Sequence, residues 1–253
     1  MATGRTVLRN WRAYADGYDL SGYTRSFGPL ACTFEEGIDD AVTLTVKATM
    51  IGSANVSMGT LNGLFDNTAT SGLHAIMQTP GVTRHVMLAC GIQTAPLAYD
   101  PVFMGKFTQL SYSGDPDNIP VYATVGFGNM SNEAANLAYS RPWGVLMHAK
   151  GAETAANTAV GLDQLAATTL GGYMMYQSFA GNGTATIKVQ DAAANSDGSF
   201  TDLLSSGSLD FSTPRAAIVA LAKTATVKRY IRFQIAFGTA TSVTFALAFS
   251  RGN

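Results

Sequence analysis

Charge is scarce in this sequence: Asp, Glu, Lys and Arg make up 13% of its 253 residues, against roughly a quarter in ordinary soluble domains. Hydrophobic types reach 47%, too apolar a balance for a disordered chain. Sixteen Lys plus Arg against seventeen Asp plus Glu leave a formal net charge of -1, without the basic excess that drives adhesion to nucleic acid. Cysteine is nearly absent. Cys32 and Cys90 stand far apart with no ligand-like spacing, which argues against a disulfide framework or a zinc site and for two small buried thiols. No uncharged apolar run approaches the roughly 20 residues that span a bilayer as a helix. Arg9, Asn10 and Arg12 interrupt the start of the chain, so no signal peptide is expected. The protein reads as made in a reducing cytoplasm, or assembled there into a particle, with no membrane contact.

What the chain has instead is glycine, 26 residues of it, and a hydrophobic period of two. In residues 41–48, Val42, Leu44 and Val46 alternate with Thr43, Thr45 and Lys47, the pattern of a strand with one buried face. In residues 227–237, Ile231, Phe233, Ile235 and Phe237 alternate with Arg232, Gln234 and Ala236. After residues 238–242, Val243, Phe245, Leu247 and Phe249 alternate with Thr244, Ala246, Ala248 and Ser250. These runs predict a terminal β-hairpin. Residues 172–179 and 184–190 predict another, joined through Ala180-Gly181-Asn182-Gly183, where Asn-Gly supplies the positive φ of a tight turn. Weaker strand patterns lie at 7–14, 86–90, 103–112, 121–127 and 144–149.

Helix is sparse. Residues 70–78 carry Leu73, Ile76 and Met77 on one stripe, with Ser71 available as a cap and Thr79-Pro80-Gly81 as a stop. A second short helix is expected at 131–139, where Glu133 suits the positive end of the dipole. Residues 151–169, rich in Ala, Thr and Gly, show no strand alternation and read as a linker. Polar turns are expected at Ser196-Asp197-Gly198 and Ser205-Ser206-Gly207. The predicted class is all-β with minor α content. An N-terminal β-barrel or sandwich with one short helix, residues 1–155, assembles the particle; a C-terminal β-sandwich or jelly roll, residues 165–253, is accessory.

Chemistry is hard to find. His74, His85 and His148 form no H-x-x-x-H or H-E-x-x-H arrangement, and His74 and His148 read as hydrogen-bonded structural residues. Gly126-Phe127-Gly128 lacks the third glycine of a dinucleotide loop, and Gly59-Thr60-Leu61-Asn62-Gly63 lacks the Lys-Ser/Thr of a P-loop. The nearest approach to a nucleophile elbow, Asp19-Leu20-Ser21-Gly22, is a local turn. Glu35, Glu36, Asp39 and Asp40 read as an acidic turn between strands, and Asp115-Pro116-Asp117-Asn118 as a type I turn. Lys223, Lys228, Arg229 and Arg232 are the one local concentration of cations, but Phe233 and Phe237 beside them fall on an apolar face, and base-stacking needs exposed rings. No catalytic, cofactor or metal-binding residue is assigned.

Residues 15–26, Ala-Asp-Gly-Tyr-Asp-Leu-Ser-Gly-Tyr-Thr-Arg-Ser, resemble the opening of the tail-tube proteins of long-tailed bacteriophages, with a strand running into a Leu-Ser-Gly turn and a second strand. Gly59-Thr60-Leu61-Asn62-Gly63-Leu64-Phe65-Asp66 is similar to a stretch that follows in that family. Residues 184–191, 198–203 and 227–233 resemble the accessory β-sandwich of several phage virion proteins. Together these cover about a third of the chain. The resemblance implies a non-enzymatic subunit in stacked hexameric rings that conduct DNA as non-specific cargo, in contact with itself and other virion proteins. The same segments resemble capsid decoration proteins, which are usually trimeric. A carbohydrate-binding accessory module is a third reading. The physical chemistry agrees with a ring subunit, because near-zero net charge favours association and few charges need to be desolvated.

Overall fold

The computed structural model describes residues 6–39, 48–117, 119–130 and 141–252. The chain enters through β1 (Trp11–Ala15), β2 (Tyr18–Asp19), β3 (Thr24–Phe27), β4 (Leu30–Asp39), β5 (Ala48–Met58) and β6 (Thr60–Leu64), then a one-turn helix α1 (Leu73–Met77). Long strands follow: β7 (Thr83–Cys90), β8 (Pro101–Asp115), β9 (Tyr122–Met130) and β10 (Trp143–Glu153). The remainder holds β11 (Asn157–Thr158), β12 (Leu162–Asp163), β13 (Gly172–Gly181), β14 (Thr184–Ala192), β15 (Thr201–Asp210), β16 (Arg215–Ala220), β17 (Tyr230–Phe237) and β18 (Val243–Arg251). The protein is all-β, as its period-two patterning predicts.

One sheet runs in the order β16-β13-β18-β10-β8-β7-β1-β2, and a second holds β11, β17, β14 and β15, with β12 also on β17. The large sheet folds over on itself. Its β1-β7-β8 part and its β10-β18-β13-β16 part press one face each against a common cluster of Tyr14, Met87, Ala89, Val102, Met104, Leu146, Tyr173, Met175, Ala246 and Ala248. On the far side of β1-β7-β8 lies a second core, built from Ala13, Val86, Leu88, Phe103 and Phe107 against β5, β6, β9 and α1. Beyond β10-β18-β13 lies a third, where Met147, Met174, Tyr176, Phe245, Leu247 and Phe249 meet Ile187, Val189, Leu204, Ile231, Phe233 and Ile235 of the small sheet.

Successive side chains of a strand point to opposite faces, so a strand buried on both faces must be apolar at every position. That is why residues 86–90, Val-Met-Leu-Ala-Cys, and 243–249, Val-Thr-Phe-Ala-Leu-Ala-Phe, carry so few polar groups. In β18 the two faces differ in size. Phe245, Leu247 and Phe249 fill the sandwich core, whereas Ala246 and Ala248, both fully buried, let the folded-over halves approach closely.

β8 moves from one layer to the next. Its first half pairs with β7 and its second half with β9, and irregularities at Phe107/Gln109 and Gln109/Ser111 mark the change, because a bulge bends and twists a strand enough to redirect it.

Several expectations need correction. Neither predicted hairpin forms. β17 pairs with β14, and β18 pairs with β13 and β10, so β13–β14 and β17–β18 each cross from one sheet to the other. Their apolar faces meet across the sandwich, roughly 10 Å apart, which buries both; side by side in one sheet they would still need a second layer. The two crossings lie together: Asn182 Nδ2 donates to Thr241 Oγ1 (2.8 Å), and its Oδ1 accepts from Thr241 N (2.9 Å) and Ser242 N (3.1 Å). The positive φ expected at Gly183 is present, at 63°. Ser205-Ser206-Gly207 is no turn but an irregularity inside β15, with Gly207 at φ 68° and Ser206 Oγ accepting from Ile187 N. Helix α1 is shorter than expected; Gly72 occupies its N-cap position and Ser71 makes no cap. Glu35, Glu36 and Asp39 lie on β4 of a long hairpin, not in a turn. Val42, Leu44 and Val46, Asp40, Asn118 and the helix at 131–139 lie outside the described residues.

The stretch read as a linker, 151–169, carries the end of β10 together with β11 and β12, both paired with β17. β10, counted above with the first module, pairs along its length with β18 and only at three positions with β8. Sequence composition could not reveal this, since β11 and β12 are two residues long and too short for a period.

Two experiments test this packing. Phe233→Asp or Phe245→Asp is expected to cost about 3 kcal/mol or more, through a buried unpaired charge. Ala248→Leu is expected to cost about 1–3 kcal/mol by overpacking the shared face, and Gln234→Glu less than about 0.5 kcal/mol, all by chemical denaturation. Residues 141–253 expressed alone should unfold cooperatively, whereas residues 161–253, which lack β10, should not; cooperative unfolding of the shorter piece would show that β10 is dispensable.

Candidate functional site

Three polar regions contain the residues that carry potential chemistry. The first is a network that ties the halves together. Asp16-Gly17 forms the two-residue turn between β1 and β2, with φ of 50° and 84°, the positive pair that a type I′ turn demands. A Cβ on Gly17 would lie 2.3 Å from Arg215 N and 2.5 Å from Ser178 O, so only glycine allows the turn to press against β13 and β16. The fully buried Gln177 accepts from Gly17 N (2.7 Å) and donates to His85 O (2.9 Å). Asp16 accepts from His85 N (2.9 Å) and Arg84 (3.2 Å), and Arg84 reaches on to Gln109 Oε1 (3.1 Å) and Ile76 O (2.8 Å). Burial by itself would raise the Asp16 pKa, but the His85 and Arg84 hydrogen bonds outweigh it and hold the carboxyl below its ordinary value.

The second region is the cationic concentration of the C-terminal half. Lys228, Arg229 and Arg232 are each paired within the chain. Arg229 makes a bidentate pair with Asp163 (2.8 and 2.6 Å), which holds that carboxyl at about 2. Lys228 Nζ lies 3.3 Å from the buried Asp191, and Lys188 Nζ lies 2.6 Å from Asp202. Arg232 is buried, bonded to Gln190 Oε1 (2.9 Å) and Asp197 (2.7 Å), with its guanidinium 4.1 Å over the Phe200 ring. Phe233 faces the core. Cations so matched offer little field to a phosphate backbone.

The histidines are all committed to the fold. His148 uses both ring nitrogens, one 3.2 Å from Phe245 O and the other 3.0 Å from Glu153 Oε1, and its ring lies on Phe245 at 4.2 Å between centroids. Both ring nitrogens are thus turned to groups of the fold. His74 Nδ1 lies 3.0 Å from the Tyr112 hydroxyl, and His85 Nδ1 lies 3.5 Å from Asp16. Ser21 Oγ bonds Asp19, which pairs with Lys150 at 2.7 Å, and accepts from Ala13 N; these bonds fasten a turn. Cys90 is buried, which pushes its thiol up to about 12, and Cys32 is partly buried and likewise raised. Among the described residues, no three His, Cys, Asp or Glu gather as metal ligands would, and no helix is long and apolar enough to cross a membrane.

The third region escaped sequence reasoning. A cleft of about 280 Å³ is lined by Arg9, Arg12 and Arg25 together with Leu8, Trp11, Ala13, Ser21, Thr24 and Phe27. Arg9-x-x-Arg12 flanks Trp11 visibly, but Arg25 joins only because residues 20 and 21 return along β1, through Leu20 N to Ala13 O (2.8 Å) and Ala13 N to Ser21 Oγ (3.0 Å). Trp11 and Phe27 stack with centroids 5.9 Å apart. Arg12 Nη1 donates to the carbonyls of Arg9 (3.1 Å) and Trp11 (2.8 Å), and the Arg25 guanidinium sits 4.6 Å over the Tyr122 ring.

No protein-family model and no curated protein matches the chain. Its structure is similar at a low level to three solved ones. The SPP1 Dit protein, described as a paradigm of the hub adsorption apparatus of Gram-positive infecting phages, aligns with TM-score 0.32 and 9% identity over 96% of this chain and 99% of that one. A structure of infectious bursal disease virus, Gx strain, gives 0.24 and 10% over 98% and 66%. The mosquito-larvicidal Cry4Aa toxin of Bacillus thuringiensis gives 0.15 and 12% over 98% and 53%. At such TM-scores these likenesses carry no functional argument, which must come from the chain's own residues.

Asp16 gives a pH test. Because its folded pKa is depressed, its contribution to stability is complete above the unfolded carboxyl value and is lost as pH falls through the folded one. Melting temperature is therefore expected to fall more steeply below about pH 4 in the wild type than in Asp16→Asn. Parallel curves would show that the network is not worth what its geometry implies.

Proposed function

We propose that the chain is a non-enzymatic structural subunit of a bacteriophage virion, and within that class a tail-tube subunit whose rings stack around passing DNA. The observation that carries the reading is the contrast between matched charges and exposed apolar side chains. Asp16, Asp19, Asp163, Asp191, Asp197 and Asp202 each pair with a cation of the same chain. Ile119 is 100% exposed, Leu165 83%, Val160 77%, and Leu97 and Leu110 63% each. Large apolar side chains held in solvent by a chain that has little free charge are surface for partners. The resemblance of residues 15–26 and 59–66 to tail-tube proteins points the same way, and the Leu20-Ser21-Gly22 turn does join two strands, β2 and β3. The occupied nitrogens of His148 and the turn-fastening bonds of Ser21 support a reading without catalysis.

A capsid decoration protein is the second reading. It is favoured by the confinement of dense acidic sequence to Glu35, Glu36, Asp39 and Asp40, since a DNA-conducting lumen is expected to repel phosphate over its whole surface. Light scattering after size exclusion, with negative-stain imaging, tests both on the full chain. Hexameric rings or tubes support the tail-tube subunit, and discrete trimers the decoration protein. A monomer at high concentration would overturn both, as would a hydrolase or transferase activity abolished by substituting His74, His85, His148 or Ser21.

A further inference from the structure

The cleft of Arg9, Arg12 and Arg25 gathers three cations in a lining that holds no carboxylate. Arg84, Lys150, Lys188, Lys228, Arg229 and Arg232 each face a carboxylate of the same chain at 2.6 to 3.3 Å. Among the described residues, Arg9, Arg12 and Arg25 face none, although they line one cleft of about 280 Å³. Like charges that line one cleft repel, and an anion bound among them relieves that repulsion. The guanidinium groups are also positioned in advance. Arg12 is fixed by two backbone carbonyls and Arg25 by the face of Tyr122, so less rotamer freedom remains to be lost on binding.

The rest of the lining narrows the ligand. Ser21 Oγ is engaged with Asp19, Thr24 Oγ1 donates to Leu20 O (2.8 Å), and Trp11 Nε1 donates to Thr6 Oγ1 (2.9 Å). The polar groups free to take a ligand are therefore the guanidiniums, whose planar forks suit phosphate oxygens, and no carboxylate lines the cleft to hold a cation. The remaining wall is apolar and flat, with Trp11 and Phe27 stacked. A cleft just below the roughly 300–1,000 Å³ range of small-molecule sites takes a small ligand. We infer that this cleft binds a small organic phosphate, with the phosphate among Arg9, Arg12 and Arg25 and a flat ring against Trp11 and Phe27. The site does not depend on whether the chain assembles.

The sequence holds two tryptophans, Trp11 and Trp143, so Trp143→Phe leaves Trp11 as the only indole reporter. Adenosine monophosphate, inorganic phosphate and adenosine are the probes, titrated into the full chain by tryptophan fluorescence. Saturable quenching by adenosine monophosphate is expected, with competition by inorganic phosphate and binding of adenosine at least about tenfold weaker. Arg12→Gln and Arg25→Gln, made separately, are each expected to weaken adenosine monophosphate by about tenfold while the melting temperature of the free protein holds. If one variant fails to fold, the other and the salt dependence of wild-type binding decide. No saturation by any probe, equal binding of adenosine, or unchanged affinity in a folded Arg variant overturns the inference. So does a change of oligomeric state in the Arg variants without small-anion binding, which would assign the cleft to a carboxylate of a neighbouring subunit.

Discussion

A sheet buried on both faces sets the terms for the rest of this molecule. β18, β13 and β10 separate the sandwich core from the shared cluster, and burial of each large apolar side chain contributes roughly 1.5–3 kcal/mol. The two faces have unequal room. Phenylalanines and leucines of β18 occupy the wide core against the second sheet, while its alanines occupy the narrow space where the sheet folds back. A close-packed interior tolerates neither a larger residue on the narrow face nor a smaller one on the wide face.

The same constraint explains where polar groups are admitted. An unpaired polar group inside costs more than a hydrogen bond returns, so most of those present are matched, with Ser178 Oγ and Arg215 Nε left without a partner among the described residues. Gln177 and Gln109 each use both ends of the amide, and Arg232 is satisfied by Gln190 and Asp197. The Asp16-Gly17 turn gains its place against β13 through this economy of partners, and the N-terminal and C-terminal parts are thereby held by hydrogen bonds as well as by packing. In a chain with so little charge, three arginines lining one cleft without a carboxylate form a local concentration of positive charge.

Much of the secondary structure was legible in the sequence because alternation is a local property. The strands at 86–90, 103–112, 121–127 and 144–149 appear where the pattern puts them, and so does the core-facing side of Phe233 and Phe245. Glycine signals were legible in part: Gly183 has the positive φ expected of Asn-Gly, but the same conformation at Gly207 lies inside a strand. A positive φ allows a turn or a bulge equally, and only the partner strand selects between them.

The sequence by itself determined that this chain is all-β, which face of its clearest strands is apolar, and that its histidines and cysteines form no catalytic or metal motif. Tertiary structure alone decided which strand lies beside which. Residues 231–237 and 243–249 have the same periodicity whether they pair with each other or face each other across a core. The choice depends on β13, β14 and β10, strands far away along the chain. The burial of the second face of β18 and the meeting of Arg25 with Arg9 and Arg12 were decided in the same way. Each arises from contacts between segments distant in sequence, and periodicity carries no record of distance.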